Sequence, residues 1–171
     1  SGGGSVFAGL SIYNILKRNQ AYKTVYVDGL AASIASVIAL AGDKVIIPKT
    51  AQFMIHKPWT FCAGSAIDIR KVADDLDIAE QSILNVYVDI STIKEMVDKE
   101  TWLTGDSASE YFNIEVSNDF EAVACTSDYF DSYRNTPHLF LNRQKTTVNS
   151  PSLTNHSILK KKKLQAKLDI L

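Results

Sequence analysis

One stretch limits the possible folds more than any other. From Thr24 the chain reads TVYVDGLAASIASVIALAG, ending at Gly42. Its first part is built from β-branched and aromatic strand formers and stops at a turn residue, Gly29. After the turn come small, apolar residues almost without interruption. This pattern predicts a strand over Thr24–Asp28 and a helix over Ala32–Ala41, with Gly42 as its C-terminal cap. A helix apolar on every side has to be buried, so the rest of the chain must supply layers to cover it.

Those layers can be read on either side. Ser5 is a good N-cap for a helix over Val6–Lys17, whose apolar face is Val6, Leu10, Tyr13 and Leu16. Lys44–Pro48 (KVIIP) and Gln52–Ile55 (QFMI) read as short strands. Ile69, Val72, Leu76, Ala79, Ile83, Val86 and Ile90 repeat at three and four residues. They predict one long amphipathic helix, roughly 30 Å in length at the helical rise. Strand–helix–strand alternation argues an α/β architecture.

With 171 residues, 46% of them hydrophobic, the chain has enough apolar material for one domain. It has neither an apolar run of membrane-spanning length nor a signal-peptide pattern, so a cytoplasmic location is expected. Cys62 and Cys125 are far apart and are expected to be free thiols. The charge is uneven. Residues 1–133 hold 10 Lys/Arg against 18 Asp/Glu, and residues 134–171 hold 8 against 1. The boundary is therefore placed at Tyr133, between a body of 1–133 and a basic, flexible tail of 134–171. Lys160–Lys163 could meet nucleic acid or an acidic partner, but a solvated end is the simpler account.

Acyl-transfer chemistry needs a nucleophile, a base within hydrogen-bond reach, and backbone donors for an oxyanion. Ser33 falls at the predicted helix start, where unpaired N–H groups such as that of Ile34 face outward. A serine there also serves as an ordinary N-cap. Ser36 is a second candidate, although one turn into the helix it would bond its own backbone. His56 closes the strand QFMI and precedes Lys57–Pro58; His138 and His156 lie in the tail. The run Gly2–Gly3–Gly4 before Ser5 could present N–H groups to an anion, or could be a linker. A nucleotide-binding loop would need a Lys-Ser/Thr pair that is not there. The sequence suggests no metal or cofactor site. Among Asp98, Glu100 and Asp106, nothing in the residues themselves selects a third catalytic member.

Taken together, four segments resemble the ClpP peptidase family, in detail its phage prohead-protease branch. They are SGGGSVFAGLSIYNIL, VYVDGLAASIASVIALAGD, FMIHKPWT and MVDKETWLTGDSASEY, spanning about Ser1 to Glu115. The resemblance implies a ClpP/crotonase-like ββα spiral with a long handle helix at Ile69–Ile90, and with the front of the fold absent from this sequence. It implies Ser33 as nucleophile, His56 as base and Glu100 as triad acid, with Asp98 the fallback. The oxyanion donors it implies are the N–H groups of Gly4 and Ile34. It further implies polypeptide substrates, heptameric and possibly stacked homo-oligomeric rings, and an ATP-driven unfoldase or phage capsid and portal proteins as partners. The setting would be the host cytoplasm or the prohead. Three departures stand out: Gly2 where the family usually has proline, which is expected to loosen the oxyanion strand; a shortened turn between Asp89 and Ile93; and Phe112 in place of a glycine. Two other readings are a crotonase-type acyl-CoA enzyme and a non-catalytic assembly protein.

Overall fold

The computed structural model describes residues 1–87, 90–119 and 127–141. Cys125 and the sequence from residue 142 onward lie outside them. In chain order the elements are α1 (Val6–Arg18), β1 (Thr24–Tyr26), β2 (Leu30–Ala32), α2 (Ile34–Ala39), β3 (Lys44–Pro48) and β4 (Gln52–Ile55). They continue with α3 (Ala66–Leu84), α4 (Ile90–Asp98), β5 (Thr101–Thr104), α5 (Gly105–Tyr111) and β6 (Glu115–Ser117). A 3-10 turn at Asp128–Ser132 and α6 (His138–Leu141) complete the set.

The strands form two small sheets, ordered β1-β3-β6 and β2-β4-β5. Each pass of the chain lays one strand in the first sheet and the next in the second. Thus β1 and β3 pair in parallel, as do β2 and β4, with α2 as the crossover between passes. β5 returns antiparallel to β4, and β6 joins β3 in parallel. This is the expected α/β spiral.

The second sheet is covered on both faces, and strand alternation sorts its side chains between two cores. Ala31, Phe53, Ile55 and Leu103 point into the main core with Val37, Ile47, Ile93 and Phe112. Leu30, Ala32 and Met54 point the other way, into a smaller core with Phe130, Tyr133 and, partly buried, Trp102 and Phe140. Residues 134–141 are therefore part of the body. The compact unit runs from Ser1 to Leu141, past the boundary expected at Tyr133.

Two expected elements differ from those observed. The helix foreseen over Ala32–Ala41 begins at Ile34, because Ala31 and Ala32 are claimed by strand pairing with Phe53 and Met54. The single long helix foreseen over Ile69–Ile90 starts at Ala66, on a Ser65–Asp68 capping box, and stops at Leu84. Its break lets Tyr87 turn inward, where the ring meets Phe112 and the hydroxyl meets Ser36. The first half of α3 is exposed, whereas Ala79, Ile83 and Leu84 of its second half are buried. The apolar stripe of the expected handle helix is thus divided between solvent and core. No described helix is long and apolar enough to cross a membrane.

Candidate active site

Strand register brings the site together. β2 and β4 run in parallel with Ala32 opposite Met54, so Ser33 and His56 leave the same end of adjacent strands. β5 runs antiparallel with Thr101 opposite Ile55, which sets Glu100 at the next position, beside His56. Three residues distant in sequence meet at one sheet end for this reason alone.

Ser33 occupies the N-cap position of α2 but makes no capping hydrogen bond. Its backbone is at φ 57, ψ −133, a region that costs a non-glycine residue about 1–3 kcal/mol. The Ser33 N–H donates to the Met54 carbonyl at 2.9 Å, which holds the turn in place. Strain at a strand-to-helix turn lifts the hydroxyl clear of the sheet end. Ser33 Oγ lies 2.7 Å from His56 Nε2. An ordinary N-cap serine would direct its oxygen at the helix instead, so the capping alternative is excluded. Ser36 is fully buried and donates to the Ser33 carbonyl at 2.6 Å, as the sequence suggested for a serine one turn into a helix.

His56 is 9% exposed. Burial pushes its pKa below the ordinary histidine value, and the negative charge of Glu100 pulls partly back. The ring therefore favours the neutral form, which a general base requires.

Glu100 is also buried, at a left-handed turn (φ 53) between α4 and β5. One carboxylate oxygen accepts from the Asn135 N–H at 2.7 Å and, at 3.4 Å, from the Trp102 indole. The other accepts from the Arg134 N–H at 2.9 Å. Its influence on His56 is by charge. Asp98, the alternative acid, is paired with two lysines instead. It is 2.9 Å from Lys57 Nζ and 3.5 Å from Lys94 Nζ, and these lysines hold its pKa low. Asp106 sits in the first turn of α5.

The glycine loop crosses directly over the nucleophile. The Ser1 amino nitrogen donates to the Leu30 carbonyl at 2.6 Å, and the Ala32 N–H donates to the Ser1 carbonyl at 3.0 Å, so the loop starts along β2. At Gly3 (φ 99) a Cβ would lie 2.8 Å from the Ser33 Cβ, so only glycine permits this approach. The loop is not loosened at Gly2 as expected: Gly2 is buried and its carbonyl accepts from the Tyr133 hydroxyl. Beyond the loop, α1 starts at Val6 with Ser5 as its cap, as predicted.

Next to Ser33 and His56 opens a cavity of about 260 Å³, lined by Gly4, Val6, Trp59, Phe61, Tyr129 and Tyr133 among others. Aromatic rings and the Ser33 and His56 side chains share its wall. Among the described residues there is no cluster of three or more His, Cys, Asp or Glu able to hold a metal.

Residues 1–115 match the Clp protease family. The chain belongs to that family. Among its relatives, the ATP-dependent Clp protease proteolytic subunit 1 of Protochlamydia amoebophila is 29% identical over 137 residues, covering 74% of this chain and 66% of the relative. The ATP-dependent Clp protease proteolytic subunit of Bacteroides fragilis is 34% identical over 119 residues, covering 65% and 57%. That of Ligilactobacillus salivarius is 32% identical over 120 residues, covering 65% and 60%. The chain thus spans between 57% and 66% of the length of these relatives.

Sequence reasoning missed the part played by residues 129–136. Tyr133 stood at the supposed domain edge, yet its ring meets His56 and its hydroxyl holds the glycine loop. The aromatic spacing of Phe130 and Tyr133, at the end of the expected body, was the available signal, because rings so close together need a core to pack in.

Proposed function

We propose that this chain carries the catalytic site of a serine peptidase of the Clp type, with Ser33 as nucleophile, His56 as general base and Glu100 as triad acid. The observation that carries the reading is the 2.7 Å contact between Ser33 Oγ and His56 Nε2, made by a serine in a strained turn. Ser33 Oγ attacks the peptide carbonyl while His56 Nε2 takes its proton. The imidazolium gains stability from the buried Glu100 carboxylate. The N–H groups of Gly4 and Ile34, one on the glycine loop and one at the start of α2, receive the oxyanion. His56 then returns the proton to the leaving amine, and water releases the acyl-enzyme by the same steps. A crotonase-type reaction on acyl-CoA needs oxyanion donors but no serine–histidine pair, so the contact favours the peptidase.

The relatives' names, ATP-dependent and proteolytic subunit, support a working form that assembles and depends on an ATP-consuming partner; the family resemblance makes that form a homo-oligomeric ring and the partner an unfoldase. The sequence resemblance to the prohead branch makes phage capsid and portal proteins the substrates to test first. A fluorophosphonate probe is expected to label the protein at Ser33, and Ser33→Ala to abolish labelling. Equal labelling of Ser33→Ala, or none of the unaltered assembled protein, would sink the reading.

A further inference from the structure

The family match ends at residue 115, but the site does not. One ring contact and five hydrogen bonds reach it from residues 133–135. The Tyr133 ring stands edge-on to His56, with centroids 5.0 Å apart and planes at 77°. Its hydroxyl donates to the Gly2 carbonyl and lies 3.1 Å from where a Gly3 Cβ would be, over the nucleophile. The N–H groups of Arg134 and Asn135 together hold both oxygens of Glu100. The Asn135 side chain donates to the carbonyls of Lys99 and Glu100, at 2.7 and 3.0 Å, fixing the left-handed turn that carries the acid.

This segment is anchored. Phe130 is buried, 6.4 Å from the Trp102 ring and 5.1 Å from that of Phe140. The Thr136 hydroxyl closes the loop onto the Phe130 carbonyl at 2.7 Å. Rings packed on the outer face of β2-β4-β5 therefore fix where residues 133–135 sit. In one span the chain touches all three sides of the site: the loop carrying an oxyanion donor, the base, and the acid.

We propose that residues 127–136 form a clamp that sets the geometry of the site, with Tyr133 the positioning residue that holds the glycine loop against the nucleophile strand. The inference rests on the peptidase reading for its kinetic consequence, but not for its structural one. An oxyanion donor works only within a few tenths of an ångström of its place, and a loop released from Tyr133 no longer holds Gly4 there.

Tyr133→Phe keeps a ring against His56 and deletes the hydroxyl, with its bond to the Gly2 carbonyl and its contact with Ser33. In the full-length protein, kcat on a short fluorogenic peptide is expected to fall about tenfold with KM unchanged. The acid limb of the pH profile should stay in place, because His56 keeps its ring neighbour and Glu100 its amide donors. A general loss of structure would move KM and the limb as well. Amide hydrogen exchange over residues 1–5 should rise in the same variant, and this readout needs no catalysis. Unaltered exchange there overturns the clamp, as does an unaltered kcat. If exchange rises but the unaltered protein neither cleaves peptide nor labels at Ser33, the clamp stands and the peptidase reading falls.

Discussion

At the scale of single residues, two serines three positions apart are put to opposite uses. Ser36 is sealed in the core between the Ser33 carbonyl and the Tyr87 hydroxyl, whose pKa burial drives up to about 12. Ser33, on the strained turn, faces His56. Sequence could name both serines and the histidine, because a strand end followed by small residues and a strand end followed by His-Lys-Pro are local signals. It could not select Glu100 over Asp98 or Asp106, because that choice depends on β4–β5 register and on a left-handed turn. The electrostatics of the pair give a test. Burial lowers the His56 pKa and the Glu100 charge opposes the shift. The acid limb of kcat/KM should therefore fall below 6.5, the ordinary histidine value. In Glu100→Gln the opposing charge is gone, so the limb should move to still lower pH while kcat drops. A limb that does not move in a pH–rate profile of this variant removes Glu100 from the site. Stability follows the same sign. Below 6.5 the unfolded histidine binds a proton that the folded one refuses, so this group makes the fold less stable as pH falls from there to its lowered folded value.

At the scale of elements, the strands and helices with strong local patterns were legible and the short ones were not. α1, β3 and β4 lie where periodicity and β-branched runs put them. β2 is not foreseen, and its last residue, Ala32, falls in the expected helix, because Leu-Ala-Ala has good helical propensity; only pairing with β4 makes it extended. One packing contact links the elements of the site directly. α1 follows the glycine loop and α2 follows Ser33, and the two helices meet at Gly9 and Ile34. A Cβ on Gly9 would lie 2.1 Å from Ile34 Cγ1 and 3.2 Å from its Cβ. Gly9→Ala must rotate the Ile34 side chain or part the helices, which overpacking series put at about 1–3 kcal/mol. It should lower the melting temperature by several degrees in calorimetry. It should also reduce peptidase kcat more than Ser11→Ala, a change on the exposed face of the same helix. Equal thermal stability of Gly9→Ala and the parent would mean that the helices have room to spare.

At the scale of the whole molecule, the exposed face of α3 is the feature that the body does not explain. Ile67 is 78% exposed and Ile78 63% exposed, on a helix whose last turns are firmly in the core. Eleven residues is close to three full turns, so the two isoleucines share a face about 16 Å apart. Large apolar side chains on one helical face turned away from the body suit contact with another copy of the chain. In the proposed ring assembly, α3 would serve as the handle that the family resemblance implies. Because neither isoleucine contributes to the protomer core, Ile67→Glu with Ile78→Glu should leave protomer melting nearly unaltered. In sedimentation velocity the same double variant should shift mass from the assembled species to smaller ones. Peptidase activity measured on that sample should fall with the assembled fraction if ring closure is what steadies the loops around Ser33. Smaller species with undiminished activity per chain would show instead that each protomer completes its own site, with the aromatic clamp at Tyr133 sufficient to hold it.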